Sequence, residues 1–322
     1  MGAKPVGRKM AGAVLIALAM MSSACTSASG RGPLPGGRAA GRDGAITVGS
    51  FDFPESVLLA DIYSGAIAAR GFPVQVMPDL GTRELVDPAL MNGLIQIVPE
   101  YAGSALEFAS LGRRPATSSV EATSRALATS VAGRGLVVGR PAAAQDANAI
   151  VVTAATAARY RLHSISDLAT VAPRLVFGGP PECPERVYCL LGLERTYGLH
   201  FREFVSLDAG GPLTRQALSA GDIGVGLMFS TDPGISAGHL VILADDRGLQ
   251  PAENITPLLR RVTVARYGQG LVAVLNAVSA RLTTGSLRVL NAQVELDRRD
   301  QRIVADDWLY TQGLLGKGRA EG

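Results

Sequence analysis

From Ala45 onward, short apolar runs alternate with segments in which apolar residues recur every three or four positions. Short apolar runs are typical of buried strands, and the longer period is typical of helices with one buried face. Pro54 and Glu55 mark one helix start, because proline suits the first helical position and an acidic side chain suits the first turn. Strands that alternate with helices predict an α/β fold with mostly parallel sheets.

The pattern falls into two α/β series. The first predicts strands at 46–48, 74–77 and 95–98 and helices at 54–69, 84–92, 104–111 and 120–133. The second begins near Ala149, with strands predicted at 150–153, 175–178, 223–227 and 241–244 and helices at 188–197 and 212–220. Past Pro251 the pattern predicts helices only, notably 268–282 and 301–313.

A second series inserted into the first predicts two lobes joined by two hinge crossings. We expect residues 45–148 and 250–322 to form lobe 1 and residues 149–249 to form lobe 2. Such an arrangement leaves a cleft between the lobes, where ligands usually bind.

The N-terminal segment has the features of an export signal. Basic residues precede a dozen apolar positions at 10–21, and small residues then lead to Cys25. The apolar run is short for a membrane span, so residues 1–25 predict a cleaved signal peptide. Its end resembles the lipobox of bacterial lipoproteins, whose cysteine is acylated, although Ser22 stands where leucine is usual. We expect a lipid anchor on Cys25, with plain secretion as the alternative, and a flexible tether over 26–44.

Composition excludes several classes of protein. The formal net charge of +3 equals the number of basic residues, Lys4, Arg8 and Lys9, in the predicted signal peptide, so no basic nucleic-acid surface is expected. The three histidines are scattered along the chain, and no metal site or cofactor motif is predicted.

Cys183 and Cys189 are separated by five residues. In an oxidising compartment this spacing can close a small disulfide loop. Two reduced structural cysteines are the alternative.

Six segments, taken in order, carry a family resemblance. They are Gly-Ser-Phe-Asp-Phe-Pro-Glu at 49–55, Leu-Gly-Thr-Arg-Glu at 80–84, Pro-Glu-Tyr-Ala-Gly-Ser at 99–104, Gln-Asp-Ala-Asn-Ala at 145–149, Ser-Thr-Asp at 230–232 and the run 287–296. Together they resemble the glycine betaine, choline and carnitine binding proteins of osmoprotectant ABC transporters, over about 46–315. The resemblance implies a two-lobed type II periplasmic binding protein fold. It also implies a monomer that passes a small solute to an ABC permease with a cytoplasmic ATPase.

The residues alone are compatible with a ligand site at one of these segments, and the resemblance favours it. Tyr101 follows a predicted strand, where open α/β sheets present ligand-contacting loops. Ser104 opens the next helix, where a hydroxyl group and free N–H groups can hold a carboxylate. The alternative is that Tyr101 only packs and Ser104 only caps.

The resemblance implies further site residues, because members of the family hold a trimethylammonium group in a cage of tyrosines. Two cage positions stay aromatic, and two others carry polar side chains here. The aromatic positions are Tyr101 and Phe229, and the exchanged positions are Asn148 and Glu253.

Asp146 is kept, Ser104 replaces a usual threonine, and Phe51 stands where some members have lysine. Arg186 aligns with an arginine that holds the ligand's carboxylate, although it can equally pair with Glu185 or Asp146.

The two exchanged positions predict weaker betaine binding. Glu253 favours either a cation without a carboxylate, such as choline, or a polyhydroxylated solute, unless it faces solvent. A ligand sensor is the second functional hypothesis, since its binding lobes would look the same. An exported hydrolase is disfavoured because the chain has no Gly-x-Ser-x-Gly elbow, P-loop, dinucleotide fingerprint or metal triad.

Overall fold

The computed structural model describes residues 44–208 and 210–315, and this part of the chain contains two five-stranded sheets. The first sheet has the order β2-β1-β3-β10-β4 and the second β7-β6-β8-β5-β9. The strands of the first sheet are β1 Ile46–Gly49, β2 Val74–Met77, β3 Ile97–Tyr101, β4 Leu136–Val138 and β10 Ile255–Arg260. Those of the second are β5 Asn148–Thr153, β6 Val176–Gly179, β7 Glu203–Ser206, β8 Val225–Phe229 and β9 Leu240–Ile242.

Helices pack around both sheets. In the first half of the described chain they are α1 Pro54–Ala69, α2 Arg83–Asn92, α3 Ala102–Ser110, α4 Val120–Ala132 and α5 Ala154–Tyr160. They continue as α6 Leu190–Gly192, α7 Pro212–Ala220, α8 Gly234–Ala237, α9 Arg261–Ser279, α10 Thr284–Glu295 and α11 Gln301–Thr311. Short 3-10 turns lie at Ile165–Thr170, Ala172–Arg174 and Cys183–Glu185, and a π-helical turn at Leu193–Tyr197 follows α6.

Each sheet has its own hydrophobic core. The core on the first sheet draws side chains from 46–144 and from 255–314, and this half of the molecule is lobe 1. The second sheet has one core on each face, and this half of the molecule is lobe 2. Strand β5 contributes to both cores, because side chains alternate between the two faces of a strand. Ile150 and Val152 lie in one core, and Ala149 and Val151 lie in the other.

Four of the five strands in each sheet run in the same direction, as the expectation of mostly parallel sheets requires, and one strand in each sheet is reversed. Strand β10 runs antiparallel to β3 and β4, and β5 runs antiparallel to β8 and β9. Both are strands by which the chain enters a lobe after crossing from the other, so their direction is reversed.

Strand β10 was not predicted, since helices were expected past Pro251, and its central residue Pro257 cannot donate to a ladder. Pro257 lies opposite Pro99 of β3, and its carbonyl accepts from Gly139 at 2.8 Å, just past the end of β4. Pro257 therefore lacks its N–H at a position just beyond the paired residues of β4, where the β10–β4 ladder has already ended. The short strands β4 and β7 were also missed.

Helix α9 consists of two helical parts divided at Gly268, whose φ of 74° and ψ of -173° are not helical. The second part is the helix expected from Gly268 onward, and the first part, from Arg261, was not predicted. Glycine adopts this positive φ without steric cost.

The chain crosses between the lobes twice, over 139–147 and 243–254. The two crossings contact each other through an antiparallel bridge between Gln145 and Asn254. These paired segments lie directly beneath the cleft and bring Asp146 and Glu253 to its floor.

Candidate functional site

The carboxyl ends of strands from both sheets converge on a cavity of about 180 Å³ between the lobes. Strands β1, β3, β6 and β8 all end at this edge, which is where open α/β sheets bind ligands. The cavity is lined by all eight of the predicted ligand-binding residues, namely Phe51, Tyr101, Ser104, Asp146, Asn148, Arg186, Phe229 and Glu253.

Aromatic rings form one wall of the cavity, with Phe53 at their centre. Its ring centroid lies 5.9 Å from those of Phe51 and Tyr101 and 5.5 Å from that of Phe229. Phe53 takes this position because it is the extended residue before Pro54 begins α1. Sequence reasoning missed Phe53, although it lies in the first motif, two positions after Phe51.

A further ring, Tyr188 of lobe 2, lines the cavity and was also missed. Its hydroxyl accepts a hydrogen bond from the Ala116 N–H at 3.3 Å. Its carbonyl accepts from Asn148 Nδ2 at 3.0 Å and from Gln250 Nε2 at 3.1 Å. The Asn148 amide, which stands at an expected cage position, therefore holds the main chain of another aromatic residue.

The phenol of Tyr101 is fixed by a buried carboxyl group. Tyr101 Oη donates to Glu55 Oε1 at 2.8 Å, and Glu55 Oε2 accepts from Thr231 Oγ1 at 2.5 Å and from Asn291 Nδ2 at 2.6 Å. Burial raises the pKa of Glu55. Glu55 therefore ties α1 to α10 and to the segment after β8, beneath the aromatic wall.

Asp146 belongs to the same buried group. It accepts from the Thr231 N–H at 3.0 Å and from Ser230 Oγ at 3.3 Å. Burial, and then the neighbouring Glu55 carboxyl, raise the pKa of Asp146 well above its usual range. Two adjacent buried carboxyls cannot both ionise at low cost, so the charge of Glu55 adds to burial in raising the pKa of Asp146.

Glu253 is buried, with only 4% of its surface exposed, so the alternative that it faces solvent was wrong. Its carboxylate accepts from the N–H groups of Gly103 and Ser104 at 3.0 and 3.1 Å and from Ser104 Oγ at 2.6 Å. These are the donors expected to hold a ligand's carboxylate. The residue that sequence reasoning placed in the cage instead caps the helix beside it.

Two arginines reach the cavity, and each forms an ion pair. Arg83, which sequence reasoning missed, donates from Nε and Nη2 to Glu100, both at 2.9 Å, and its guanidinium lies 5.0 Å from the Phe51 ring centroid. Arg186 pairs with Glu84 of lobe 1 at 2.5 Å, and not with Glu185 or Asp146.

The Arg186–Glu84 pair crosses the mouth of the cleft. Arg186 lies within a loop that a disulfide between Cys183 and Cys189 closes, with a Cα–Cα distance of 5.2 Å.

The predicted signal peptide, Cys25 and the tether to residue 43 lie outside the described residues. Within 44–208 and 210–315, no helix has both the length and the apolar character that crossing a membrane requires.

Two α/β lobes around an aromatic-lined cavity define a solute-binding protein of the two-lobed periplasmic type. The family described as the substrate binding domain of ABC-type glycine betaine transport systems matches residues 44–311. The chain therefore belongs to this family, whose members are solute-binding proteins of ABC transporters and not enzymes. The family match confirms the resemblance read from the sequence.

Individual relatives agree with this assignment. The glycine-betaine-binding protein of Pseudomonas aeruginosa is 28% identical over 286 residues, which are 85% of this chain and 90% of that protein. The ergothioneine transport permease/ergothioneine binding protein EgtU of Helicobacter pylori is 25% identical over 81% of this chain, but only 46% of that longer protein. A crystal structure of a glycine betaine/carnitine/choline ABC transporter has a TM-score of 0.70 at 20% identity, over 84% of this chain and 100% of that one. This likeness confirms the two-lobed fold.

Proposed function

We propose that this protein captures a quaternary ammonium solute outside the cytoplasm and delivers it to the permease of an ABC importer. The observation that carries the proposal is the cluster of Phe51, Phe53, Tyr101 and Phe229 around the cavity. Aromatic faces attract a quaternary ammonium through cation–π contacts, each worth about 0.5 to 2 kcal/mol. Phe53 supplies a ring that the two exchanged cage positions no longer provide.

The volume and the charge of the cavity support the same ligand class. A cavity of about 180 Å³ suits a solute of modest size. Its lining includes the acidic residues Asp52, Glu107, Asp146, Glu182 and Glu253. A quaternary ammonium group cannot donate hydrogen bonds, so aromatic faces and nearby negative charge are the contacts that suit it.

Capture is proposed to close the two lobes by rotation about the crossings at 139–147 and 243–254. Residues 45–148 and 250–322 would move as one body and 149–249 as the other, and the closed form would be recognised by the permease. This device is common in two-lobed binding proteins. Small-angle scattering with and without saturating ligand tests it: a smaller radius of gyration is expected, and an unchanged profile would contradict closure.

Residues 1–25 are proposed to direct export, and Cys25 to carry a lipid that anchors a monomer through the tether at 26–44. A membrane-bound lipoprotein suits this role because it stays beside its permease. Fractionation tests the anchor: the wild-type protein is expected with membranes, and a Cys25→Ala variant in the soluble fraction. A wild-type protein that is itself soluble would contradict the anchor and leave plain secretion. Sedimentation of the purified protein tests the monomer.

Calorimetric titration of the purified protein tests the ligand class. The panel is glycine betaine, choline, carnitine, ergothioneine, proline and a set of polyols. We expect binding of at least one quaternary ammonium compound and none of the polyols. A response to polyols alone would overturn the ligand class and leave the transport family intact. Uptake of the bound solute by cells that lack and then regain the gene separates transport from sensing.

A further inference from the structure

The buried carboxylate of Glu253 occupies a ready-made anion site. Helix α3 begins at Ala102, and the first N–H groups of a helix have no partners within it. Here the Ala102 N–H donates to the Asn254 carbonyl at 3.1 Å, while the N–H groups of Gly103 and Ser104 donate to Glu253. The hydroxyl of Ser104 makes a third bond to the same carboxylate at 2.6 Å.

The close approach of the two segments depends on Gly103. A Cβ atom at this position would lie 2.5 Å from Pro251 Cγ and 3.0 Å from Glu253 Oε1. The glycine therefore lets the crossing segment place its carboxylate directly on the helix end. With these three donors engaged and the space filled, a ligand's carboxylate has no place at this helix terminus.

No other positive group of the cavity lining is free to take that carboxylate. Arg83 is paired in a two-bond geometry with Glu100, and Arg186 is paired with Glu84. These two arginines are the basic residues in the lining. A zwitterionic ligand would have to displace one of these partners or lay its negative end against Glu253.

We propose that Glu253 makes this site select a quaternary ammonium cation that has no carboxylate, of the choline class, over a zwitterion such as glycine betaine. The inference rests on the proposed function and narrows it. In this arrangement the protein supplies the carboxylate that a zwitterion would bring with it. The positive end of the ligand lies among the rings, and its neutral end lies beside Glu253.

Choline and glycine betaine form a matched pair for the test, because both carry a trimethylammonium group and only one carries a carboxylate. Calorimetric titration of the wild-type protein is expected to show choline binding at least tenfold tighter than glycine betaine. In a Glu253→Gln variant, which keeps the size and an acceptor oxygen for the helix end, this preference is expected to fall at least tenfold. Glu121→Gln, which removes an exposed carboxylate from α4 of the same lobe, is the control and is expected to leave the preference unchanged.

The ratio of the two affinities separates selection from damage to the fold. A purely structural role for Glu253 would weaken both ligands in parallel and leave their ratio unchanged, which would overturn the inference. If the variant is unstable, the ratio of the two affinities in the wild-type protein still tests the inference. Glycine betaine bound as tightly as choline would overturn the inference and leave the proposed function intact. If no quaternary ammonium compound of the panel binds, the proposed function falls and this inference falls with it.

Discussion

The two lobes build their sides of the cavity in different ways. On the lobe 1 side, the rings of Phe51 and Tyr101 pack on Phe53, and Tyr101 is anchored on the buried Glu55. On the lobe 2 side, Phe229 of β8 adds one ring to this cluster, whereas the loop with Arg186 and Tyr188 is closed by its disulfide and its side chains stay partly exposed. The difference indicates a preorganised aromatic wall, built mostly by lobe 1, and an adaptable cover, the loop of lobe 2 between Cys183 and Cys189. Substitutions in the wall should therefore cost more affinity than substitutions in the cover.

The largest effect is expected from Phe53→Ala in the wall. The change removes the ring that contacts three other rings, so the ligand loses one cation–π partner and the remaining rings lose their support. We expect the affinity for the quaternary ammonium ligand to fall about 100-fold, which corresponds to about 2.8 kcal/mol. Calorimetric titration measures it.

Phe72→Ala is the matched control for this variant. Phe72 also packs against the lobe 1 core, but its ring partner is Tyr267, and neither residue lines the cavity. It should lower stability with little effect on affinity. If Phe53→Ala and Phe72→Ala lower affinity equally, the aromatic wall is not the ligand's binding surface.

A change of pH is expected to alter the affinity about tenfold, through Glu253 at the floor of the cavity. Burial raises the pKa of Glu253 to about 7. Below that pH Glu253 of the free protein is mostly protonated, and a cation has to displace the proton when it binds. Above that pH the Glu253 carboxylate is already ionised. Choline, whose charge is fixed, should therefore bind about tenfold tighter at pH 8 than at pH 6. Titration in a pH series measures this, with proton release on binding near pH 6.

Other charged groups face Glu253, and the control has to separate them. Arg83 and Glu100 lie beside it, and burial, together with the charges of Glu253 and Glu107, raises the pKa of the Tyr188 phenol. In the Glu253→Gln variant these groups remain, so the pH dependence should become nearly flat. A slope that survives the substitution would assign the titration to another group, such as the Glu55 and Asp146 pair.

The same raised pKa predicts how the stability of the free protein changes with pH. The folded state holds the Glu253 proton between pH 4.5, the ordinary value, and about pH 7, where the unfolded chain has lost it. The free energy of unfolding should consequently decrease as pH rises through this window, by up to about 3 kcal/mol from this group. Urea unfolding at pH 5 and pH 7.5 measures it, and a stability that increases over this range in wild type relative to Glu253→Gln would contradict it.

The sequence predicted where the site lies better than how its groups interact. Strand ends and helix starts follow from local rules, so positions such as Tyr101 and Ser104 could be placed at the cavity edge from their neighbours alone. Glu55 could not be assigned a role, because its partners Thr231 and Asn291 are 176 and 236 positions away. Phe53 could not be predicted from the family resemblance, because its ring comes from a position that is not one of the family's cage positions.

The lobe 2 cover offers a smaller effect, through the disulfide between Cys183 and Cys189. Its loop is short, with a sequence separation of 6, so removing the bond should cost about 2 kcal/mol of stability at most. Replacing both cysteines with serine frees the loop that carries Arg186 and Tyr188, and we expect affinity to fall about fivefold because ordering the loop now opposes binding. A reductant should produce the same loss in the wild-type protein and none in the double variant. A loss as large as that of Phe53→Ala would contradict the contrast between wall and cover.

The smallest effect is expected from the ion pair at the mouth of the cleft. The side chains of Arg186 and Glu84 are 32% and 50% exposed, and exposed pairs are worth about 0 to 1 kcal/mol. If the pair only helps the cover to close, Arg186→Ala and Glu84→Ala should each weaken binding by about threefold or less. The double variant should be no worse than either single one, because the same interaction is lost once. Calorimetric titration at low and high salt measures these differences, and salt should reduce them.

The contrast between wall and cover would fail if the two single variants had unequal effects on affinity. Suppose that Arg186→Ala weakens binding tenfold or more while Glu84→Ala does not weaken it. Arg186 would then contact the ligand directly, as the family resemblance implies for a residue that holds a carboxylate. The cover would in that case recognise the ligand as well as close over it, and Arg186 could hold the carboxylate of a zwitterion. A symmetric small effect would leave ligand choice to the aromatic wall and to Glu253 on the floor beneath it.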